Sequence, residues 1–475
     1  MSQLHDLTAL EQSRAVRTRE VSAVELTRHY LGRTEELSDV VGAFVTVTPD
    51  LALEQAEAVD RRVAAAESPD DLGPLTGCVV PVKDLDLVAG VRCTFGSAVF
   101  ADFVSPQDAA FVRAMRDAGL VITGKTNAPE FGLPCYTEPD IAPSARTPWD
   151  TTRSAGGSSG GAAAAVSAGL ASAAQGSDGG GSIRIPASVT GLVGLKPSRG
   201  RVSVAPLVDS VGELVAIGPL ARTVADAAAL LDVMSGVQLG DVFAAPGPPG
   251  AGTFLAAASM EPRRQRIGRF CVPLIAETTV HSDCLAAYEA ASTLLAELGH
   301  EVVDIEPPYS PVLTPHFEAV WATLAGSIPV PPGKEGLLRP LTKYLRDAGE
   351  AVTGRQLAAA VAMLRTAART AILATAGFDA LLTPTLAQPP ALVGGIRDDD
   401  DPARDFARQK EFTPFTAPFN VSGQPAVSLP LAHSPGGLPI GVQIVGRPWG
   451  EADLLSLVGQ IERAKPWVDR RPPVW

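Results

Sequence analysis

Two glycine clusters with serines embedded in them constrain this chain more than any other feature. The first, SAGGSSGGAAAA at 154–165, sets Gly156, Gly157, Gly160 and Gly161 around Ser158 and Ser159. The second, SDGGGSIRIP at 177–186, places Gly179, Gly180 and Gly181 directly before Ser182. Glycine loses more backbone freedom on folding than any other residue, so such clusters weaken a helix or strand unless a turn or a close backbone approach requires them. A flexible Gly/Ser linker is the plain alternative. It fits poorly, because Pro148 and Trp149 precede the first cluster and a strong helix former, GAAAAVSAGLASAA at 161–174, follows it. The clusters are therefore expected inside a folded layer, with the alanine run as a buried central helix.

The flanking chain reads as helices alternating with short apolar strands. Ser22 and Glu25 form a capping-box signal ahead of VELTRHYLGRTEEL, and Pro49 opens a helix through LALEQAEAVDRRVAAAE. CVVPV (78–82), LVIT (120–123), RIGRFCV (266–272), EVVDIEP (301–307), DALLTP (379–384), PAVSLPL (425–431) and IGVQIVG (440–446) read as strands. Helical stretches such as DAAFVRAMRDAG, DCLAAYEAASTLLAELG and GRQLAAAVAMLRTAARTAILATA lie between them. This alternation predicts an α/β fold. The Pro- and Gly-rich segment 237–264 is the expected exposed connector, and RDDDDPARD at 397–405 reads as a solvated acidic loop.

Bulk properties narrow the function. Of the 475 residues 46% are hydrophobic, enough for a large core, and the net charge of −13 argues against a nucleic-acid or anionic-membrane partner. No apolar run reaches about 18 residues, and the N-terminus has neither the hydrophobic region nor the cleavage site of an export signal, so a cytoplasmic protein is expected. Five cysteines (Cys78, Cys93, Cys135, Cys271, Cys284) without a C-x-x-C pair predict neither a disulfide framework nor a zinc site. The six histidines are scattered, so no metal is expected.

The serines have several readings. Gly157–Gly161 matches G-x-S-x-G with Ser159 as nucleophile, but a polar loop stands where the preceding strand belongs, and no histidine occupies a distinctive setting. A phosphate-binding loop is excluded because Gly161 and Ala162 follow where Lys and Ser or Thr are required. A serine nucleophile without histidine needs another base, and a lysine serves when burial lowers its pKa. Lys83, Lys125 and Lys196 are the candidates. Lys83 ends an apolar strand, where α/β folds assemble sites, although a structural lysine paired with Asp84 explains it equally.

The segments PVKDL, GKTNAPEFG, RSAGGSSGGAAAA, GSDGGGSIRIPASVTGLVGLKPSRGRVS and PFNVSGQPAVSLPL…GLPIGVQIVG, in this order and spacing, resemble the amidase signature family. The resemblance spans about residues 7–464 and is strongest to the 6-aminohexanoate cyclic-dimer hydrolase type, through TEP at 137–139 and the tail PWVDRRP. It implies one amidase signature domain over 1–475, with a helical region at 1–70, a catalytic core at 78–230 and the remaining α/β core at 266–464. The implied fold is a central mixed, twisted β-sheet covered by helices on both faces.

The resemblance also implies a serine amidohydrolase with a Ser–Ser–Lys triad: nucleophile Ser182, bridging Ser158 after a cis Gly157–Ser158 peptide, and base Lys83. Gly179, Gly180 and Gly181 would form an oxyanion hole, with Ser159, Asp178 and Arg184 in support; for Arg184 a surface ion pair is the alternative. The chain departs from the family at Ser177, where threonine is usual, and at Gly179, where threonine or isoleucine is usual. Substrate contacts are expected from LPCYTEP (133–139), PHFEAVWATLAGS (315–327) and LAQPPALVGG (386–395), with Tyr136, Cys135 and Trp321 foremost. The expected partner is a small-molecule amide, with no cofactor and a homodimer as one assembly. Amide-forming acyl transfer and carbamate or ester hydrolysis use the same triad.

Overall fold

The computed structural model describes residues 3–207, 211–247 and 252–475. Its centre is an eight-stranded mixed sheet in the order Ala174–Asp178, Ala216–Ala221, Val193–Lys196, Ala426–His433, Pro439–Gly446, Ala380–Pro384, Arg266–Arg269, Glu301–Asp304. Neighbours pair antiparallel from the first strand to the sixth, and parallel from the sixth, Ala380–Pro384, to the eighth. Alternation along Ala426–His433 shows how both faces are covered. Val427, Leu429 and Leu431 enter the main core with Leu230, Tyr288 and Leu455, from the helices Val224–Met234, Ser282–Glu297 and Glu451–Ala464. Ser428 faces the other way, toward Ser188 of the helix Arg184–Thr190.

The predicted strands from 266 onward appear where expected; the first three are shortened, whereas Ala426–His433 runs two residues further and Pro439–Gly446 starts one residue earlier. CVVPV instead forms only Val82–Lys83 plus an isolated bridge between Val79 and Val121, and LVIT precedes the strand Gly124–Thr126. These two strands and Phe44–Val47 make a small second sheet. Phe44–Val47, Ala174–Asp178, Val193–Lys196 and Ala216–Ala221 are strands beyond the expected ones; Ala174–Asp178, AQGSD, has no apolar alternation to announce it, and its residues are all buried. The alanine helix runs only over Gly160–Ser167, because the chain turns at Gly169 (φ +64°) and re-enters as that strand. Every residue of this helix is buried. A Cβ on Gly161 would stand 2.3 Å from the backbone nitrogen of Asn127, so only glycine permits this approach.

The capping box at Ser22 and Glu25 and the proline start at Pro49 form as predicted, on the helices Ala23–Val41 and Pro49–Ala65. The connector at 237–264 is broken by a helix at Phe254–Ser259, and its residues 248–251 lie outside the described ones. The acidic 397–405 segment is more than a solvated loop. Asp401 caps the helix Pro402–Phe412, with Pro402 in its first turn, and Asp405 is fully buried.

Candidate active site

The two glycine clusters meet at the edge of the large sheet. Ala174–Asp178 is an edge strand, and the small sheet covers that edge: Gln175 N–H donates to Pro81 O (3.2 Å), and Gln175 Oε1 accepts from Lys83 N–H (2.9 Å). Lys83 is thereby directed over Ser177, with Nζ 3.0 Å from Ser177 Oγ and 3.3 Å from Ser177 O. Its third neighbour is Ser158 Oγ, at 2.8 Å. The Gly157–Ser158 peptide is cis, as the family resemblance implies. Ser159 N–H donates to Ser182 O (3.1 Å), which ties the first cluster to the second.

Burial decides the state of Lys83. Its side chain has no solvent exposure, which pushes the ammonium from its ordinary 10.5 down to about 7, while the Asp86 and Asp178 carboxylates pull it partly back. The competing pairing with Asp84 is not formed, because Asp84 accepts from Lys125 (3.2 Å) and from Thr94. Lys196 is equally buried and pushed down to about 7, but its Nζ donates to Pro197 O (2.9 Å) and reaches neither serine. Of the three candidate lysines, Lys83 alone has the geometry of a base for Ser158.

The second cluster is braced from beneath. Asp178 accepts from Gly181 N–H (2.7 Å), Ile183 N–H (3.2 Å), Arg184 Nε (2.9 Å) and Nη2 (2.8 Å), and Asn420 Nδ2 (2.8 Å). Burial alone would raise its carboxyl pKa, yet the Arg184 guanidinium and these donors hold it well below the carboxylate range. Arg184 is wholly buried and donates further to Thr416 O (2.9 Å), Gln443 Oε1 (2.7 Å) and Asn420 Oδ1 (2.6 Å), so it is no surface ion pair. Ser159 Oγ donates to Ser177 O (3.2 Å) and accepts from Ser177 N–H (3.3 Å), so its hydroxyl braces the strand end.

Of the three glycines expected to form an oxyanion hole, Gly181 stands apart. The Gly181 N–H is already committed to the Asp178 carboxylate, and a strong charge-assisted bond of this kind leaves it poorly available for a substrate oxygen. Among the described residues, the N–H groups of Gly179, Gly180 and Ser182 make no hydrogen bond inside the molecule, and Gly180 and Ser182 line a cavity. Gly181 is needed for its shape: φ is +135°, and a Cβ there would lie 2.4 Å from Thr416 Oγ1.

The cavity continues from Ser182 along Leu133, Pro134, Cys135, Ile185, Phe317 and Trp321. Phe317 and Trp321 stack at 5.6 Å. Cys135 lines it, and burial and Asp405 hold the thiol well above its usual pKa. Tyr136 does not line it: its ring packs in a buried cluster with Ile185 and Val189, and its hydroxyl donates to Asp405 (2.5 Å). Nor does 386–395, part of which borders a separate open cleft. Unforeseen wall residues come from the helix Pro402–Phe412, namely Phe406, Gln409 and Lys410. The Asp-Pro pair at 401–402, an N-cap followed by a first-turn proline, was the signal that could have found this helix.

This geometry has counterparts among known proteins. The Amidase family profile matches residues 25–455. The 6-aminohexanoate-cyclic-dimer hydrolase of Paenarthrobacter ureafaciens is 36% identical over 488 residues, covering 98% of this chain and 96% of its own. A solved structure of 6-aminohexanoate cyclic dimer hydrolase superposes with a TM-score of 0.90 at 34% identity, covering 100% of both chains. A bacterial aryl acylamidase of the amidase signature family follows with a TM-score of 0.86 at 27% identity, covering 98% of both. With a profile match over most of its length and this likeness along the whole of it, the chain belongs to the amidase signature family and is an amidase acting on C–N bonds.

Proposed function

We propose that the chain hydrolyses a carboxylic amide through an acyl-enzyme on Ser182. The observation that carries this reading is the buried Lys83 amine, lowered to about 7 and 2.8 Å from Ser158 Oγ. Neutral Lys83 accepts the Ser158 hydroxyl proton as Ser158 accepts that of Ser182, and Ser182 Oγ forms its bond to the amide carbonyl carbon. The developing oxyanion is held by the N–H groups of Gly180, Ser182 and Gly179, and each such donor is worth about 3 kcal/mol in the transition state. The proton returns through Ser158 to the leaving nitrogen, the C–N bond breaks, and the amine departs. Water then loses a proton to the same relay, attacks the ester and restores Ser182.

The likeness to cyclic-dimer hydrolases supports linear or cyclic amides of amino acids as the first substrates to try, with aryl amides next. The test is a mass-spectrometric turnover screen of wild type beside Ser182→Ala and Ser158→Ala, against linear and cyclic aminohexanoate amides, primary amides, aryl amides and aryl carbamates. Turnover by wild type, reduced at least about 10³-fold in both variants, is expected. Full turnover by Ser182→Ala would end the assignment.

A further inference from the structure

The cavity beside Ser182 is closed to charge in an unusual way. Away from Ser182, the polar side chains of Gln409, Thr413 and Thr314 are already engaged within the protein. Gln409 Oε1 accepts from Cys135 N–H (3.0 Å) and its Nε2 donates to Asp405 (2.6 Å). The Thr413 hydroxyl donates to Gln409 O (2.8 Å), and that of Thr314 to Ile275 O (3.0 Å). Among the described residues lining the cavity, Lys410 alone carries a formal charge. It is neutralised by an ion pair with Glu318, and its Nζ lies 5.0 Å from the centre of the Phe406 ring. The pair joins the two helices that supply wall residues, since Glu318, itself outside the lining, belongs to the helix Thr314–Ser327, which carries Phe317 and Trp321, and Lys410 to Pro402–Phe412.

We propose that the Lys410–Glu318 pair is a charge filter that restricts this amidase to amides whose cavity-bound arm ends in an uncharged, apolar group. The inference rests on the acyl-enzyme reading above. A charge carried into an apolar cavity costs free energy unless it is paired. A terminal carboxylate that reaches Lys410 competes with Glu318 for the ammonium and sits beside that second carboxylate. A terminal ammonium meets the mirror situation, with Lys410 as the like charge. The intact pair therefore disfavours both, which is specificity by repulsion rather than by added contacts. Removing one member should admit the charge that the other attracts.

The test uses the full chain and sets of straight-chain amides equal in length, ending in a methyl, a carboxylate or an ammonium group. One set carries the terminal group on the acyl side as para-nitroanilides, the other on the amine side as amides of one fixed acid. In whichever set the arm enters the cavity, wild-type kcat/KM is expected to favour the methyl end at least tenfold over both charged ends. Glu318→Gln should raise the carboxylate-to-methyl ratio at least fivefold and leave the ammonium ratio low; Lys410→Met should do the reverse. Variants that shift all three ends by one common factor, or not at all, in both sets would overturn the filter, since a merely structural role acts on every substrate alike. Wild-type turnover of neither set would likewise overturn the filter, which requires the methyl-ended amides to react, whereas turnover that survives Ser182→Ala would refute the acyl-enzyme reading on which the filter rests.

Discussion

Replacing Lys83 with methionine should make the protein more stable while sharply lowering its activity. Lys83 is fully buried and its pKa falls from 10.5 to about 7, which corresponds to on the order of 5 kcal/mol of differential interaction between the charged and neutral forms. In the window between these values the unfolded chain holds the proton and the folded chain does not. Wild-type stability therefore rises with pH from about 7 to 10.5, and the full penalty applies below about 7. Methionine fills a similar volume and carries no such penalty. It forfeits the contacts of Nζ with Ser158 and Ser177, at a cost of about 1–3 kcal/mol. The net expectation at pH 7 is a gain of about 2–4 kcal/mol, accompanied by about a 10²–10⁴-fold loss of turnover. At pH 9.5 most of the penalty is gone, with on the order of 1 kcal/mol left, so the difference should vanish or change sign. Urea unfolding of both proteins at the two pH values reads this directly. A variant less stable than wild type at pH 7, or a difference equal at both pH values, would refute the idea that a desolvated, neutral lysine is held in the site.

The same lysine sets the rate profile: kcat/KM should rise through about pH 7 as Lys83 loses its proton, and a profile flat from pH 5 to 9 would count against it as the base. Gly181→Ala forces a Cβ against Thr416 at a positive φ, so a loss of about 1–3 kcal/mol in stability and at least about 100-fold in turnover is expected, measurable by denaturation and by the amide screen. Asp178→Asn leaves the buried Arg184 guanidinium without its carboxylate and should cost about 3–5 kcal/mol. Because the folded Asp178 carboxyl is held below its ordinary 3.8, its contribution is complete above that pH and fades on further acidification; the stability gap between wild type and variant should be constant above that pH and narrow only below it. Trp321→Ala removes one face of the stacked pair in the cavity and should raise KM about tenfold for amides with an aryl or alkyl arm while changing kcat little.

What the sequence by itself determined about this chain was local or written in rare residue types. Helix starts at Ser22 and Pro49 follow from side-chain caps and a fixed φ, which act over a few residues. Strands such as Pro439–Gly446 announce themselves through runs of β-branched residues. The glycine clusters signalled close backbone approach, and their order and spacing carried the family. Other parts of the site were decided only by tertiary structure. AQGSD has no strand propensity, and it becomes a strand because Ala216–Ala221 pairs along it and Val82–Lys83 covers its edge. The choice among Lys83, Lys125 and Lys196 turned on which of three buried ammonium groups finds a serine, a carboxylate or a carbonyl. The availability of Gly179 and Gly180 rather than Gly181 as donors depended on where one carboxylate points, and the Lys410–Glu318 pair joins residues from separate helices. Burial and pairing are properties of neighbours brought together from distant parts of the chain, and desolvation and charge act through space, so neither can be read from the order of residues alone.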